Sequence, residues 1–272
     1  MRAWPATGIH SLACPRYDRD TPDSPRSRFR LPHWSWFLLG TALLVVGYVG
    51  LSIWLPWHRE QQVIHRIESW GGSVKTETRG PEWLRILVGE DRIRQFDALE
   101  RVVEVNLSGA RVSDAELPYL NRLIHLRELY LAKTAVTDAG LVHLDGLTNL
   151  RILCLNRTAV TDAGLDNLDR LPDINWLYLK GTAVTGSGFV TTNGFANVEW
   201  LFLSETKVTD AGLAGLRRLT NLRFLQLEDQ LEDAAITAKG MEELKSALPN
   251  CNIRHWRITF HGPFPPFRRG PI

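Results

Sequence analysis

Residues 126–150 read LRELYLAKTAVTDAGLVHLDGLTNL, and the spacing of their apolar residues returns on both sides of this stretch. The first leucine recurs every 24 residues, at Val102, Leu126, Leu150, Ile174, Val198 and Leu222. The frame of the repeat is L-x-x-L-x-L-x-x-T-x-V-T-D-A-G-L-x-x-L-x-x-L. A fixed period of this length over six units indicates a solenoid, in which each unit packs against its neighbours.

Each unit contains two kinds of apolar spacing. The segment L-x-x-L-x-L alternates like a strand, so its leucines face a core and its third and fifth positions face away. The segment D-A-G-L-x-x-L-x-x-L has the i, i+3 spacing of a helix. The sequence therefore predicts an α/β fold made of repeated strands and helices.

This frame resembles the leucine-rich repeat, with Thr134, Thr158, Thr182 and Thr206 where the common pattern has asparagine or cysteine. The VTDAGL segment is most similar to membrane-anchored leucine-rich repeat proteins of planctomycete-type bacteria, and to the repeats of F-box and ribonuclease-inhibitor-type proteins. The resemblance implies a solenoid with a parallel concave sheet and helices on the convex side. It also implies a non-enzymatic binding function.

Two polar columns are expected to have structural roles. A threonine and, in most units, an aspartate precede each helix, so we expect them to cap the helix N-termini. They are Thr137, Thr161, Thr185 and Thr209, with Asp138, Asp162 and Asp210. Stacked aspartates binding calcium are the alternative, but the calcium-binding repeat has a different, glycine-rich nonapeptide frame. The Thr134 column is expected to satisfy backbone groups where the chain leaves the strand.

Two places depart from the frame. Residues 185–192 read TGSGFVTT, which lacks the aspartate and one leucine, so the convex side of this unit is expected to be looser. The last unit carries an insertion at residues 232–239. Beyond it, Ile253, Trp256 and Ile258 predict a seventh, terminal strand whose outward residues are His255 and Arg257.

The 22 residues from 34 to 55 contain no charge and read WSWFLLGTALLVVGYVGLSIWL. A helix of this length spans roughly 33 Å, enough for a bilayer core, and tryptophans stand near both ends. A buried core helix seldom runs this long without charge, and no signal-peptidase-like site follows. Arginines 19, 26, 28 and 30 precede the span, against Arg59 and Arg66 after it. This excess favours a single-pass signal anchor with a cytoplasmic N-terminus and an extracytoplasmic repeat domain.

Five regions are expected from these patterns. They are a disordered arm at 1–33, a transmembrane helix at 34–56, an N-terminal cap at 57–98, the solenoid at 99–260 and a proline-rich tail at 261–272. In the cap, a helix ending at Gly71-Gly72 should precede a strand at 73–77. The net charge is only +2, which does not indicate nucleic-acid binding, because that function needs a clustered basic face.

No motif points to catalysis, a cofactor or a metal. The sequence has no nucleophile elbow, phosphate-binding loop, zinc-protease motif or dinucleotide fingerprint. Its histidines, among them His58, His65, His125 and His143, are scattered, and its three cysteines, Cys14, Cys154 and Cys251, are isolated.

The outward strand positions carry the functional prediction. At the third and fifth positions they form an aromatic patch, predicted to bind a ligand, of Tyr130, Ile152, Trp176, Tyr178, Trp200, Phe202 and Phe224. A polar rim surrounds it, with arginines 127, 151, 157 and 223 and Lys133 on one half and Glu205, Glu228 and Asp229 on the other. This distribution suggests a bipolar ligand. Cys154, in the middle of the face, is either a small hydrophobe or an accessible thiol.

A protein or peptide partner is the leading hypothesis for this surface. The alternatives are self-assembly at the cell envelope, packing against the chain's own proline-rich tail, and glycan binding by the tryptophan and tyrosine rings. A ubiquitin-ligase adaptor is disfavoured because no F-box-like helical segment precedes the repeats.

Overall fold

The structure is a computed structural model that describes residues 33–78, 86, 100–192, 194–227 and 236–255. The expected tail at 261–272, and all of the expected arm except His33, lie outside the described residues. The chain divides between Tyr48 and Val49 into two units.

Helix α1 spans His33–Ser69 and contains the apolar stretch. Its segment Gly40–Ser69 contains an 18-residue stretch with a mean hydropathy of 1.5, so the helix is long and apolar enough to cross a membrane, by length and composition. The sequence predicted two helices separated at Pro56, but α1 continues through this residue. The helix ends as predicted, where Gly71 adopts a φ of 87° and the Gly72 N–H donates to the Ile67 carbonyl over 2.9 Å.

The described residues form one eight-stranded sheet whose strands lie side by side in chain order. Strand β1 (Ser73–Thr78) runs antiparallel to β2 (Glu100–Asn106), which confirms the strand expected in the cap. From β2 onward all neighbours are parallel. The remaining strands are β3 (Glu128–Tyr130), β4 (Ile152–Cys154), β5 (Trp176–Tyr178), β6 (Trp200–Phe202), β7 (Phe224–Gln226) and β8 (Asn252–Arg254).

Short helices follow the strands and share the leucine core with them. They are α2 (Leu117–Leu120), α3 (Asp138–Leu141) with a 3-10 turn (Val142–Leu144), α4 (Asp162–Asp166), α5 (Gly188–Thr191), α6 (Asp210–Leu216) and α7 (Ala238–Ala247). The frame leucines of both elements are fully buried, as at Leu129, Leu141 and Leu144. One strand and one helical turn per unit confirm the predicted α/β solenoid.

The chain leaves each strand by a turn that the threonine column stabilises. The Thr134 hydroxyl donates to the Leu131 carbonyl over 2.7 Å, and Thr158, Thr182 and Thr206 do the same in their units. The preceding residue is left-handed, with φ between 56° and 73° at Gly109, Lys133, Arg157, Gly181 and Glu205. The predicted structural role of this threonine column is confirmed.

The aspartate column joins neighbouring units instead of capping the helices that it precedes. Asp138 accepts hydrogen bonds from the backbone N–H (2.7 Å) and the hydroxyl (2.6 Å) of Thr161, which belongs to the next unit. The same pairing links Asp114 to Thr137, Asp162 to Thr185 and Asp210 to Thr237.

The prediction of N-caps holds for only part of the threonine column. The hydroxyls of Thr137 and Thr161 accept from the backbone N–H two residues on, at 3.3 Å. Thr209 makes no such cap, and the aspartates cap no helix of their own. The prediction was wrong for the aspartates because their oxygens point toward the following unit, where a threonine offers two donors.

The unit at residues 185–192 packs closely, contrary to the looseness expected from its sequence. Gly186 replaces the aspartate with φ 93°, and its backbone lies against Gly212 of the next unit. Phe189 and Phe195 are both buried and meet edge to face with ring centroids 5.3 Å apart. Two phenyl rings therefore fill the volume that leucines occupy elsewhere.

The last strand has a different register from the predicted one. Ile253 pairs with Leu225, the fourth position of the frame, and not with the first position as the sequence suggested. The outward residues of β8 are consequently Asn252 and Arg254 rather than His255 and Arg257. Residues 256–258 lie outside the described residues.

A buried ion pair joins helix α1 to the first repeat strand. The side chains of Glu60 and Arg101 are only 7% and 10% exposed, with 3.8 Å between Oε1 and Nε. The other Glu60 oxygen lies 3.4 Å from the Val102 N–H. Burial raises the pKa of the Glu60 carboxyl, although Arg101 and Val102 act to lower it. The pair links helix α1 to strand β2.

We expect Glu60→Ala to lower the free energy of unfolding by about 2 kcal/mol, because it leaves the buried Arg101 guanidinium without this carboxylate. Urea unfolding of the full chain in detergent micelles measures the loss. Glu68→Ala, which removes an exposed glutamate from the same helix, is the control and should change little. A Glu60→Leu and Arg101→Leu double variant should recover most of the loss; a double variant less stable than Glu60→Ala would contradict this explanation.

Candidate binding surface

Strand register brings the outward residues into two parallel rows on one face of the sheet. The third-position row is Glu104, Glu128, Ile152, Trp176, Trp200, Phe224 and Asn252, and the fifth-position row is Asn106, Tyr130, Cys154, Tyr178, Phe202, Gln226 and Arg254. Between the two rows, the fourth-position leucines point into the core and are fully buried. All seven residues of the aromatic patch therefore lie together, as their spacing predicted.

The aromatic rings stack along each row. The rings of Trp176 and Trp200 are nearly parallel, with centroids 4.6 Å apart, and Phe224 continues the stack at 5.2 Å from Trp200. In the other row, Tyr178 and Phe202 stack at 4.3 Å. Each such contact contributes about 1 kcal/mol beyond simple burial. The side chains hold one another in place, so the patch has a defined shape before any ligand arrives.

The patch is less exposed than its position on the surface suggested. Trp176 and Trp200 are half-buried, and Phe202 retains only 7% exposure, because each ring covers its neighbours. Neither tryptophan belongs to the leucine core. Because the rings stack face to face along each row, the patch presents mainly ring edges to solvent.

Two tyrosines place hydroxyl groups beside the rings. The Tyr130 hydroxyl donates to Glu128 over 2.8 Å, and burial together with this bond and the charge of Glu128 raises the pKa of Tyr130. Burial, with smaller contributions from Cys154 and Glu128, raises the pKa of Tyr178 to about 12. Both phenols are therefore neutral at physiological pH; the Tyr130 hydroxyl donates its hydrogen bond to Glu128, and the Tyr178 hydroxyl can donate to a ligand.

Cys154 lies between these tyrosines and is 7% exposed. Burial raises the pKa of its thiol, although a backbone hydrogen bond from Asn156 acts to lower it. Because the reactive form of cysteine is the thiolate, this environment favours the role of a small packed hydrophobe over that of an accessible thiol.

The polar rim is paired with itself rather than divided into two halves. Arg157 and Glu205, which the sequence placed on opposite halves, form an ion pair at 3.2 Å, and Lys180 also contacts Glu205 at 3.1 Å. Arg127 pairs with Glu77, and Arg223 with Glu199, both at 3.3 Å. The bipolar rim expected from the sequence is therefore wrong for Arg157 and Glu205, which pair with each other, while Glu228 and Asp229 lie outside the described residues.

Two residues of the surface, Asn252 and Arg254, were not anticipated. The Arg254 guanidinium lies 5.5 Å from the centroid of Phe224, where it closes the third-position row with a cation–π contact. Because of the insertion, the equivalent residues Leu225 and Ile253 are 28 residues apart instead of 24. A search with a fixed 24-residue period therefore misses Arg254. The alternation of polar and apolar residues at Asn252, Ile253 and Arg254 was the signal in the sequence that could have placed Arg254 on the outward face.

The described residues show no cluster of three or more histidine, cysteine, aspartate or glutamate side chains arranged to hold a metal ion. His125 is half-buried, and burial, with a smaller effect of Arg101, lowers its pKa.

Comparison with known proteins identifies no family. No protein-family model matches the sequence, and no curated protein matches it. Among solved structures, an internalin (inlF) from Listeria monocytogenes is 17% identical with a TM-score of 0.39, over 63% of this chain and 53% of the internalin. The chain thus spans about half the length of that internalin.

Two further solved structures show similarity at the same level. Internalin C2 from Listeria monocytogenes is 21% identical with a TM-score of 0.39, covering 58% of this chain and 70% of its own. The leucine-rich repeat ectodomain of the receptor kinase SOBIR1 from Arabidopsis thaliana is 16% identical with a TM-score of 0.41, covering 62% and 92%. The solenoid described above follows from the strands and helices of this chain itself.

Proposed function

We propose that this protein is a membrane-anchored leucine-rich repeat module that binds a protein or peptide partner through the aromatic patch. The observation that carries the proposal is the stacked double row of rings on the outward face of the sheet. The core does not require aromatic side chains there, since other units place Glu104, Glu128 and Asn106 at the same positions. Tryptophan and tyrosine are the residues that most often anchor protein interfaces.

The membrane anchor is part of the same proposal. The apolar part of helix α1 exposes large side chains, such as Leu43 and Leu44, in the described residues. Arginines concentrate before the helix, which favours an N-terminus in the cytoplasm and a repeat domain outside it. The resemblance of the VTDAGL repeats to those of membrane-anchored planctomycete-type proteins agrees with this arrangement. The regions proposed remain an arm at 1–33, a transmembrane helix at 34–56, a cap at 57–98, the solenoid at 99–260 and a tail at 261–272.

Binding in preference to catalysis follows from the chemistry of the surface. Its polar groups are two neutral phenols, a buried thiol, carboxylates at one end, an arginine at the other and the amides of Asn106, Gln226 and Asn252. They do not form a nucleophile with an adjacent base. The stacked rings instead offer apolar area that a ligand can bury.

The proposal is tested by replacing both central rings. Peptides are first selected from a random display library against the full chain in lipid nanodiscs. The Trp176→Ala and Trp200→Ala double variant is expected to weaken the selected peptides by at least about 30-fold, since an anchor tryptophan contributes about 2 kcal/mol or more. Calorimetry measures the affinity, and circular dichroism verifies that the variant remains folded.

The control replaces two exposed apolar residues outside the sheet, Ile124→Ala and Val142→Ala, and should leave affinity unchanged. Equal binding by the tryptophan variant and the wild type would refute the proposal. Light scattering and a glycan array on the same preparations test the two alternatives: concentration-dependent dimers lost on tryptophan replacement would favour self-assembly, and glycan hits lost in the same way would favour sugar binding.

A further inference from the structure

The two ends of the aromatic patch carry opposite charge. Glu104 on β2 and Glu128 on β3 stand side by side in the third-position row, at its N-terminal end. Arg254 stands on β8, at the C-terminal end, and extends over the Phe224 ring. The rows of rings between them carry no ionised side chain, so the two outward rows have opposite charges at their ends, while Arg127 beside the acidic end is paired with Glu77.

The acidic end keeps negative charge after its own contacts are counted. Glu104 faces Lys75 at 3.6 Å, but the Lys75 side chain is 68% exposed, and such a surface pair is weak. Glu128 is bonded to the neutral Tyr130 hydroxyl and forms no ion pair within the described part of the chain. Two carboxylates therefore face one ammonium group, and a cation arriving from solvent would find an incompletely neutralised pair.

The sheet offers rings rather than backbone hydrogen bonds to a ligand on this face. The backbone groups of the strands pair with neighbouring strands within the sheet. A ligand backbone lying across the rings keeps its own N–H groups unpaired unless water reaches them. Proline has no N–H, and proline-rich segments already hold the extended conformation that docks against aromatic surfaces.

The length of the surface limits the length of the ligand. The strands from β2 to β8 are separated by six spacings, which at roughly 4.8 Å each give about 29 Å. An extended peptide rises about 3.1–3.4 Å per residue, so about nine residues cover the distance from the carboxylates to Arg254.

From this charge pattern and this length we propose that the patch binds an extended, proline- and aromatic-containing peptide of about nine residues, with a basic end over Glu104 and Glu128. The rings at Trp176, Trp200 and Phe224 cover its apolar middle, and Arg254 repels a basic group at the other end. This inference rests on the proposed binding function and adds the chemistry and the direction of the ligand.

The chain itself contains a sequence with this chemistry. Residues 261–270 read HGPFPPFRRG, with two prolines between two phenylalanines and two arginines at one end. These residues lie outside the described part of the structure. They supply the sequence of a test peptide, whose expected direction places the arginines over the carboxylates.

The test measures binding of the synthetic peptide HGPFPPFRRG, amidated at its C-terminus and labelled with fluorescein, by fluorescence anisotropy in nanodiscs. The protein is the full chain carrying Phe264→Ala, Phe267→Ala, Arg268→Ala and Arg269→Ala, so that its own segment does not compete. In this background, Glu104→Gln with Glu128→Gln is expected to weaken binding about tenfold. Binding should also weaken between 50 and 500 mM salt, as expected for an exposed charge contact.

Charge reversal supplies the matched control. A peptide with both arginines replaced by glutamate should bind poorly to the background protein, and Glu104→Arg with Glu128→Arg should restore its binding. Glu68→Gln, which changes an exposed glutamate outside the repeats, should have no effect. Restored binding of the acidic peptide to the arginine variant would show directly that the charged end of the peptide pairs with positions 104 and 128.

Several results would overturn the inference. They are a peptide that fails to bind at 1 mM, equal binding to the glutamine variant, or equal binding of the basic and acidic peptides. The proposed function would survive these results if library-selected peptides still depended on Trp176 and Trp200. It would fall only if that dependence were absent, so the two failures are distinguishable.

Discussion

Gly212→Ala is expected to lower the free energy of unfolding by about 3 kcal/mol, a large loss for the addition of one methyl group. A Cβ at this position would lie 2.0 Å from the Thr185 carbonyl oxygen and 3.0 Å from the Gly186 Cα. Both are backbone atoms of the preceding unit and do not move aside as a flexible side chain would. Overpacking of this kind typically costs 1–3 kcal/mol or more.

Urea unfolding of the full chain in detergent micelles, followed by circular dichroism, measures this loss. Gly71→Ala is the matched control, because Gly71 is left-handed but has no atom within 4 Å of the added Cβ. Its cost is conformational and amounts to about 1 kcal/mol. If Gly212→Ala costs no more than Gly71→Ala, the close approach of the two units does not contribute to stability.

Asp162→Ala should cost about 3 kcal/mol, because this carboxylate accepts four hydrogen bonds from the next unit. One oxygen accepts from the N–H (2.9 Å) and the hydroxyl (2.7 Å) of Thr185, and the other from the N–H groups of Gly186 and Gly188, both at 3.0 Å. Hydrogen bonds to a charged group contribute more than neutral ones, although water replaces some of them at this partly exposed site. Asp138→Ala, which removes bonds to Thr161 alone, should cost about half as much. Equal losses for the two variants would contradict this account.

The contribution of Asp162 should also depend on pH. Burial raises the pKa of Asp162, but the hydrogen bonds from Gly188, Thr185 and Gly186 outweigh burial and hold the pKa below its usual range. A folded-state pKa below the unfolded value of about 3.9 stabilises the protein above that pH, and this stabilisation disappears as the pH falls through the folded value. The advantage of the wild type over Asp162→Asn in urea unfolding should therefore be full at pH 7 and reduced at pH 3. An advantage that stays constant between these two pH values would exclude a titrating carboxylate.

The strands and the aromatic patch could be predicted from the sequence because both depend on alternation alone. Once Leu177 and Leu201 are assigned to the core, Trp176 and Tyr178 must lie on the opposite face of the strand. The constant period then aligns these residues across neighbouring strands. Placing these residues on one face does not require knowing which side chains they contact.

Side-chain pairing between units could not be predicted in the same way. The position of Asp138 before a helix fits an N-cap. Its observed partner, Thr161, lies 23 residues further along the chain, in the next unit. Arg157 and Glu205 are two periods apart and meet because Gly181, which lies between them in the same column, has no side chain to separate them. Both contacts could have been found by comparing the residues at equivalent and adjacent frame positions in neighbouring units.

Pro56 and Ile253 show where local rules failed for other reasons. Proline usually ends or kinks a helix, but α1 continues on both sides of Pro56, so neighbouring residues outweigh its local preference. The insertion before α7 changes the step to the last strand, and a pattern with a fixed period cannot reveal a change in that period.

The aspartate that joins one unit to the next also determines which units are interchangeable. Where Asp114, Asp138 or Asp162 meets a threonine, the joint has the same chemistry, so a 24-residue module inserted or removed there would find a matching connector on each side. The joint between Gly186 and Gly212 has no aspartate–threonine connector, and the two backbones lie in close contact there. Duplication of a unit is therefore easier at the aspartate–threonine joints, which lie on both sides of this one, than at the joint itself, where a new unit would separate Trp176 from Trp200.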